Sequence, residues 1–240
     1  MPSLADYMSV AASLPRDGSA GALAGRVWLP MAEGPAVVAV RGEELYDISK
    51  LTPTMRDLCE AERPAEIVRA GKGEPIGALA DVLGNTPAAR REPAKPWLLA
   101  PIDLQAIKAA GVTFPRSMLE RVIEEQARGA PEKAEALRKS VAAHFGGNLA
   151  NLVPGSKEAA ELKQVLIAQR AWSQYLEVGI GPDAEIFTKA QPMSAVGHGM
   201  DAGLHPISTW NNPEPEVVLL VSSGGAIVGA TLGNDVNLRD

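Results

Sequence analysis

Residues 211–221 read NNPEPEVVLLV, and two prolines spaced two apart forbid a helix there, because each lacks an N–H and clashes with the turn before it. A β-type run follows, so the segment is extended, and a strand sends residues i and i+2 to one side. Glu214 and Glu216 therefore share a face. Next come Ser222-Ser223-Gly224-Gly225, a hairpin signal, and a second run from Ala226 to Leu232 that ends in Gly233-Asn234-Asp235. With Gly224-Gly225 as a two-residue loop, Ser223 pairs with Ala226 and Glu214 stands opposite Asp235. With Ser223-Gly224 as the loop, Asp235 moves opposite Asn212 and keeps the same face. A loop of odd length breaks this convergence.

Three carboxylates at that spacing repel one another unless something positive sits among them. An all-oxygen set suits Mg²⁺, Mn²⁺ or Ca²⁺ better than zinc. Acidic residues are also common on solvated strand faces, so the pattern by itself leaves both readings open.

Upstream, short β-type runs at Gly25 to Leu29, Ala36 to Val40 and Glu44 to Ile48 are separated by turn residues. Arg41-Gly42-Glu43 reads as a hairpin connection. The Leu51 to Ala70 segment is expected to hold one or two short helices interrupted by Pro53 and Pro64. Between Thr86 and Trp97, TPAARREPAKPW has the composition of an extended connection. The expected organisation is thus a strand-rich N-terminal α+β domain over residues 1–92 and a second domain over 93–240.

In the second domain Trp97 to Pro101 reads as a strand. Ser117 to Arg128 reads as a helix with Met118, Leu119, Val122 and Ile123 on one stripe and a Glu124/Arg128 pair. A further helix is expected from Pro131 to His144, ended by Gly146 and Gly147, with His144 near the last carbonyls. Another starts behind Ser156 as N-cap and runs to about Tyr175, with Leu162, Val165, Leu166 and Trp172 inward. From Glu177 onward, Gly, Pro and β-branched runs predict strands and loops.

Net charge is -6 and the sequence pI about 5.2, with Lys and Arg dispersed. A nucleic-acid partner is not expected. No stretch of 18 apolar residues occurs, and Met1 to Pro15 lacks a signal peptide's basic start and apolar run, so the expectation is a cytoplasmic protein with no membrane partner. The single cysteine, Cys59, has no CxxC or Cys/His companions and reads as an inert thiol. Gly197-His198-Gly199 and His205 lie in a glycine-rich loop without ligand geometry, and no GxxxxGK or GxGxxG fingerprint implies a nucleotide.

NPEPEVVLL followed by GNDVNLRD resembles the paired signature of the fumarylacetoacetate hydrolase superfamily, an E-x-E strand followed by N-D-x-x-x-R-D. The resemblance covers about Leu99 to Asp240. It implies that Glu214, Glu216 and Asp235 bind the catalytic metal, Mg²⁺ or else Mn²⁺ or Ca²⁺. GPDAEIFTKA is similar to the family strand that carries an active-site lysine, here Lys189. LLAPIDLQAIKAAGVTF, SMLERVIEEQARG, WSQYLEVGIGPDAEIFTK and WNNPEPEVVLL resemble the branch of bacterial 2-keto-3-deoxy-pentonate dehydratases, lyases within a family named for a hydrolase.

The fold implied is a small N-terminal domain followed by a mixed β-roll with flanking helices. Family members continue well past the R-D segment, so a chain ending at Asp240 is expected to hold an incomplete β-roll and part of the site. The implied substrate is a 2-keto acid, with homo-oligomers, dimers or tetramers, as the family's habit. Where family hydrolases have a G-x-N-Y-x-x-H histidine that activates water, this chain has Ser117, a poor general base near neutral pH. That departure favours dehydration over hydrolysis of acylpyruvate-like diketo acids, the alternative activity. Glu120, one helical turn on, is the expected acid/base, Lys189 its catalytic companion, and Ser117 and Arg239 are expected to meet the substrate.

Overall fold

A continuous apolar run, Ala36-Val37-Val38-Ala39, is buried along its whole length, which requires cover on both faces of whatever sheet contains it. The computed structural model describes residues 7–111, 123, 127, 131–145, 152–168, 172, 174–183 and 185–238, and it is an α+β structure. The strands are β1 (Leu23–Leu29), β2 (Gly34–Arg41), β3 (Glu44–Asp47), β4 (Glu74–Ala78), β5 (Trp97–Leu98), β6 (Ile107–Ala110), β7 (Ile186–Ala190), β8 (Asn211–Val221) and β9 (Ile227–Leu238). Two compact units are formed, Met1–Ala106 with Gln191–Asp240, and Ile107–Ala190.

In the first unit an antiparallel sheet of order β4-β3-β2-β1-β5 holds the run in β2 at its centre. One face, through Val27, Ala36, Val38 and Leu45, is covered by Met8 and the helix Leu79–Gly84. On the other, Val37 and Ala39 meet Met55, Leu58, Cys59 and Val68 from the helices Met55–Glu60 and Pro64–Ala70. Leu220 and Val228, from β8 and β9, pack against this second cluster. The β2–β3 turn is as expected: Arg41 pairs with Glu44, and Gly42 takes φ +63°. Pro64 starts its helix rather than interrupting one, since the first helical position needs no N–H.

The stretch from Thr86 to Trp97 is tightly fastened. Asn85 Nδ2 donates to the carbonyls of Glu92, Lys95 and Pro96 at 3.2, 3.1 and 3.0 Å, and its Oδ1 accepts from the Glu92 N–H at 2.7 Å. One amide thus gathers four backbone groups, which composition does not reveal. The boundary expected at residues 92 and 93 falls inside this first unit.

In the second unit β6 pairs antiparallel with β7. The expected helix beginning at Pro131 is present as Pro131–Phe145. Ser156 Oγ accepts from the Ala159 N–H at 3.1 Å, capping Lys157–Ala168 as its position predicted. Where a single helix was expected to Tyr175, a separate one, Gln174–Ile180, extends past Glu177. Ala159, Leu166, Leu176 and Ile180 form the core, with Leu162 and Trp172 against it. Most of the helix expected over Ser117 to Arg128 lies outside the described residues; Ile123 and Ala127 are helical and buried.

Candidate functional site

β8 and β9 form a two-stranded ribbon in which Glu214 stands directly opposite Asp235, as the hairpin reading predicted, but the route to that register differs. The Ser222 N–H donates to the Ala226 carbonyl at 2.9 Å, leaving Ser223-Gly224-Gly225 as a three-residue loop with Gly225 at φ +82°. An odd loop alone would place Glu214 opposite Asn234. A β-bulge follows, where Val221 pairs with Ile227 and Leu220 with Gly229, so Val228 is an extra residue. The two irregularities each shift the register by one and cancel before the carboxylates.

Asn212, Glu214, Glu216, Gly233, Asp235 and Asn237 therefore lie on one face, opposite in the pairs 212/237, 214/235 and 216/233. Glu214 is half-buried and its Oε1 accepts from Asn212 Nδ2 at 3.2 Å. Its backbone N–H donates to Asn234 Oδ1 at 2.9 Å. Asp235 is half-buried, with Oδ1 withdrawn from solvent, and Glu216 is exposed. Among the described residues no three His, Cys, Asp or Glu side chains are gathered closely enough to hold an ion as they stand. Their backbone positions share one face of the ribbon. Gly233, across from Glu216, puts no side chain between the carboxylates, and a Cβ there would lie 2.7 Å from Val218 Cγ2. An all-oxygen set around that gap fits a hard divalent cation.

Lys189 lies in the other unit, on β7, exposed. Ile107 pairs with Ala190 and Lys108 with Thr188, so Lys189 is the extra residue of a bulge, a device that re-aims side chains. Lys108 Nζ donates to Thr188 Oγ1 at 2.6 Å. Ser117, Glu120 and Arg239 lie outside the described residues.

Three interactions were not foreseen. The Glu60 carboxylate accepts from the Ser223 N–H at 2.8 Å and its hydroxyl at 2.7 Å, fastening the ribbon's tip to the helix Met55–Glu60. The Ser223 hydroxyl, then its N–H, hold the Glu60 carboxyl below its ordinary range. Asn212 and Asn234 flank the carboxylates in sequence, which was the available signal for their role. Arg26 and Asp103 form a buried ion pair, Nε to Oδ2 3.5 Å. Cys59 is buried, which pushes its thiol up, in keeping with an inert role. His198 Nε2 lies 3.3 Å from Ser13 Oγ, and His205 Nδ1 accepts from the Ile207 N–H at 3.3 Å. Among the described residues no helix is long and apolar enough to cross a membrane.

No family model and no solved structure matches the chain. It is similar to two curated proteins. Over 56 residues, 23% of this chain and 19% of the relative, it is 45% identical to a 2-dehydro-3-deoxy-D-arabinonate dehydratase of Saccharolobus solfataricus. Over 206 residues, 85% of this chain and 54% of the relative, it is 26% identical to a probable 2-keto-3-deoxyxylonate dehydratase of Haloferax volcanii. The chain thus spans about half the length, or less, of the relatives it matches. Both relatives are named as dehydratases of 2-keto-3-deoxy sugar acids, in line with the dehydratase branch that the motifs resemble.

Proposed function

We propose that this chain carries the metal-binding part of a lyase that dehydrates a 2-keto-3-deoxy-pentonate to 2,5-dioxopentanoate. The observation that carries the reading is the ribbon register, which sets Asp235 opposite Glu214 with Glu216 on the same face, in a chain similar over 85% of its length to a probable 2-keto-3-deoxyxylonate dehydratase. Glu214, Glu216 and Asp235 would hold Mg²⁺, or Mn²⁺ or Ca²⁺, after a change of side-chain rotamer that closes them on the gap at Gly233. When bound, such a cation supplies a Lewis acid that polarises the C2 carbonyl of the 2-keto acid and favours loss of a C3 proton.

In this reading Glu120 takes the C3 proton, and the C4 hydroxyl leaves as water. Tautomerisation of the resulting unsaturated keto acid then gives the C5 aldehyde. Lys189 holds the substrate carboxylate or assists the departing hydroxyl. Ser117 and Arg239 contact the substrate. The ribbon belongs to a mixed β-roll, and the protein works in the cytoplasm as a homodimer or homotetramer.

Incubating the chain and Mg²⁺ with 2-keto-3-deoxy-xylonate, and following the semialdehyde by proton NMR, tests the activity. The semialdehyde should form; release of pyruvate from an acylpyruvate in its place overturns the reading. Glu216→Gln should abolish the Mg²⁺-dependent rise in melting temperature, and an unchanged rise places the metal elsewhere.

A further inference from the structure

We infer that Asn234 is a positioning residue whose side-chain amide sets the register of the candidate metal strand, with Asn212 orienting the Glu214 carboxylate. The inference rests on the metal reading of the carboxylates, but its geometry does not. An antiparallel ladder is held by N–H donors from both strands. Pro213 and Pro215 have none, and because the Ser222 N–H faces β9 the alternation along β8 turns those two positions to the open edge, so that the Glu214 N–H between them is the one that faces β9. A slip of one residue there would carry Glu214 and Glu216 to the opposite face.

The Glu214 N–H between those prolines is accepted by Asn234 Oδ1 at 2.9 Å. Asn234 immediately precedes Asp235 in β9, so this bond ties the backbone of one candidate ligand to the neighbour of another. Slipping the strands by a residue breaks it. Asn212 Nδ2, 3.2 Å from Glu214 Oε1, acts on the side chain of the same residue, two positions away on the same face. Asn212, Glu214, Asn234 and Asp235 are thereby one connected set, in which two neutral amides fix the backbone and the carboxylate of a charged residue without adding charge beside the cation. Supporting contacts of this kind usually govern metal affinity by about 10–100-fold.

The test uses the ¹⁵N-labelled full chain and the variants Asn234→Ala, Asn234→Asp and Asn212→Ala. Aspartate keeps the acceptor oxygen, so Asn234→Asp separates loss of this bond from a general effect of substitution. Exchange of the Glu214 amide should quicken about tenfold or more in Asn234→Ala and stay near wild type in Asn234→Asp, with Trp28 and Trp97 fluorescence melting unchanged in both. Titration with Mn²⁺ alone should show affinity falling about tenfold in Asn234→Ala and in Asn212→Ala. Wild-type exchange at Glu214 in Asn234→Ala overturns the inference, as does fast exchange in a folded Asn234→Asp. Failure of the wild-type chain to bind Mn²⁺ would sink the metal reading, and the exchange measurement would then decide the role of Asn234 by itself.

Discussion

Glu60 grips Ser223 with both carboxylate oxygens, one on the backbone N–H at 2.8 Å and one on the hydroxyl at 2.7 Å, across 163 positions of sequence. Those bonds, the hydroxyl first, hold its carboxyl below the ordinary value of about 4.3. A depressed folded value means that the clamp's contribution is present above the ordinary value and is lost as pH falls through the folded one. Protection of the Ser223 amide, measured against the intrinsic exchange rate at each pH, is therefore expected to be high at neutral pH and to fall in acid. Glu60→Gln should remove most of that pH dependence, which hydrogen exchange across a pH series measures directly.

Gly233 faces Glu216, where any Cβ would come within 2.7 Å of Val218 Cγ2. Gly233→Ala is expected to cost about 1–3 kcal/mol by overpacking and to weaken Mn²⁺ binding. Pairing it with Val218→Ala should recover much of the stability. Calorimetry and Mn²⁺ titration on the single and double variants check both effects, and an additive double variant would show that Val218 is not the obstacle.

Asp103 accepts from the N–H groups of Met55 and Arg56 at 2.7 and 3.1 Å, while Arg26 beside it donates to the carbonyls of Ala100 and Ile102 at 3.2 and 2.8 Å. Both side chains are buried. Asp103→Ala leaves an uncompensated buried cation and orphans three backbone donors, those of Met55, Arg56 and Leu104, an expected loss of about 3–5 kcal/mol. Urea denaturation followed by the stacked Trp28 and Trp97, whose centroids are 5.7 Å apart, reports it locally.

The ribbon's other face is apolar and bare. Val217 and Leu232, paired directly, are 69% and 81% exposed, and Leu219, Val221 and Ile227 continue the patch. Such a surface on a ribbon with open edges promotes association. Val217→Lys with Leu232→Glu should lower the mean mass seen by light scattering, and an unchanged mass would assign association to another surface.

Much of the first unit was legible because its cues are local: Gly42 at a tight turn, the apolar run of β2, and the parity that puts Glu214 and Glu216 together. The site's register was reached through a loop one residue too short, since a bulge leaves no mark in a run such as Ala226 to Leu232. Asn85, Asp103 and Glu60 act on partners distant in sequence or folded back through a polar stretch, and no periodicity announces such bonds. The second unit's helices were legible at their starts, where Pro131 and Ser156 carry position-specific chemistry, and less so at their ends. Ser117, Glu120 and Arg239 rest on resemblance alone.

The bulge at Val228 has a meaning for how such hairpins diverge. What reaches Glu214 and Asp235 is the pair on the strand side of the bulge, Leu220 with Gly229. A relative that lost one residue from the Ser223 to Gly225 loop, with Ser222 still paired to Ala226 and the bulge kept, would present the same acidic face, whereas straightening the bulge with Val228 in place would set Asn234 opposite Glu214. Length variation at the tip is therefore tolerable wherever the flanking pairs are kept, and a gap there in an alignment of relatives is no sign that the acidic face has been lost.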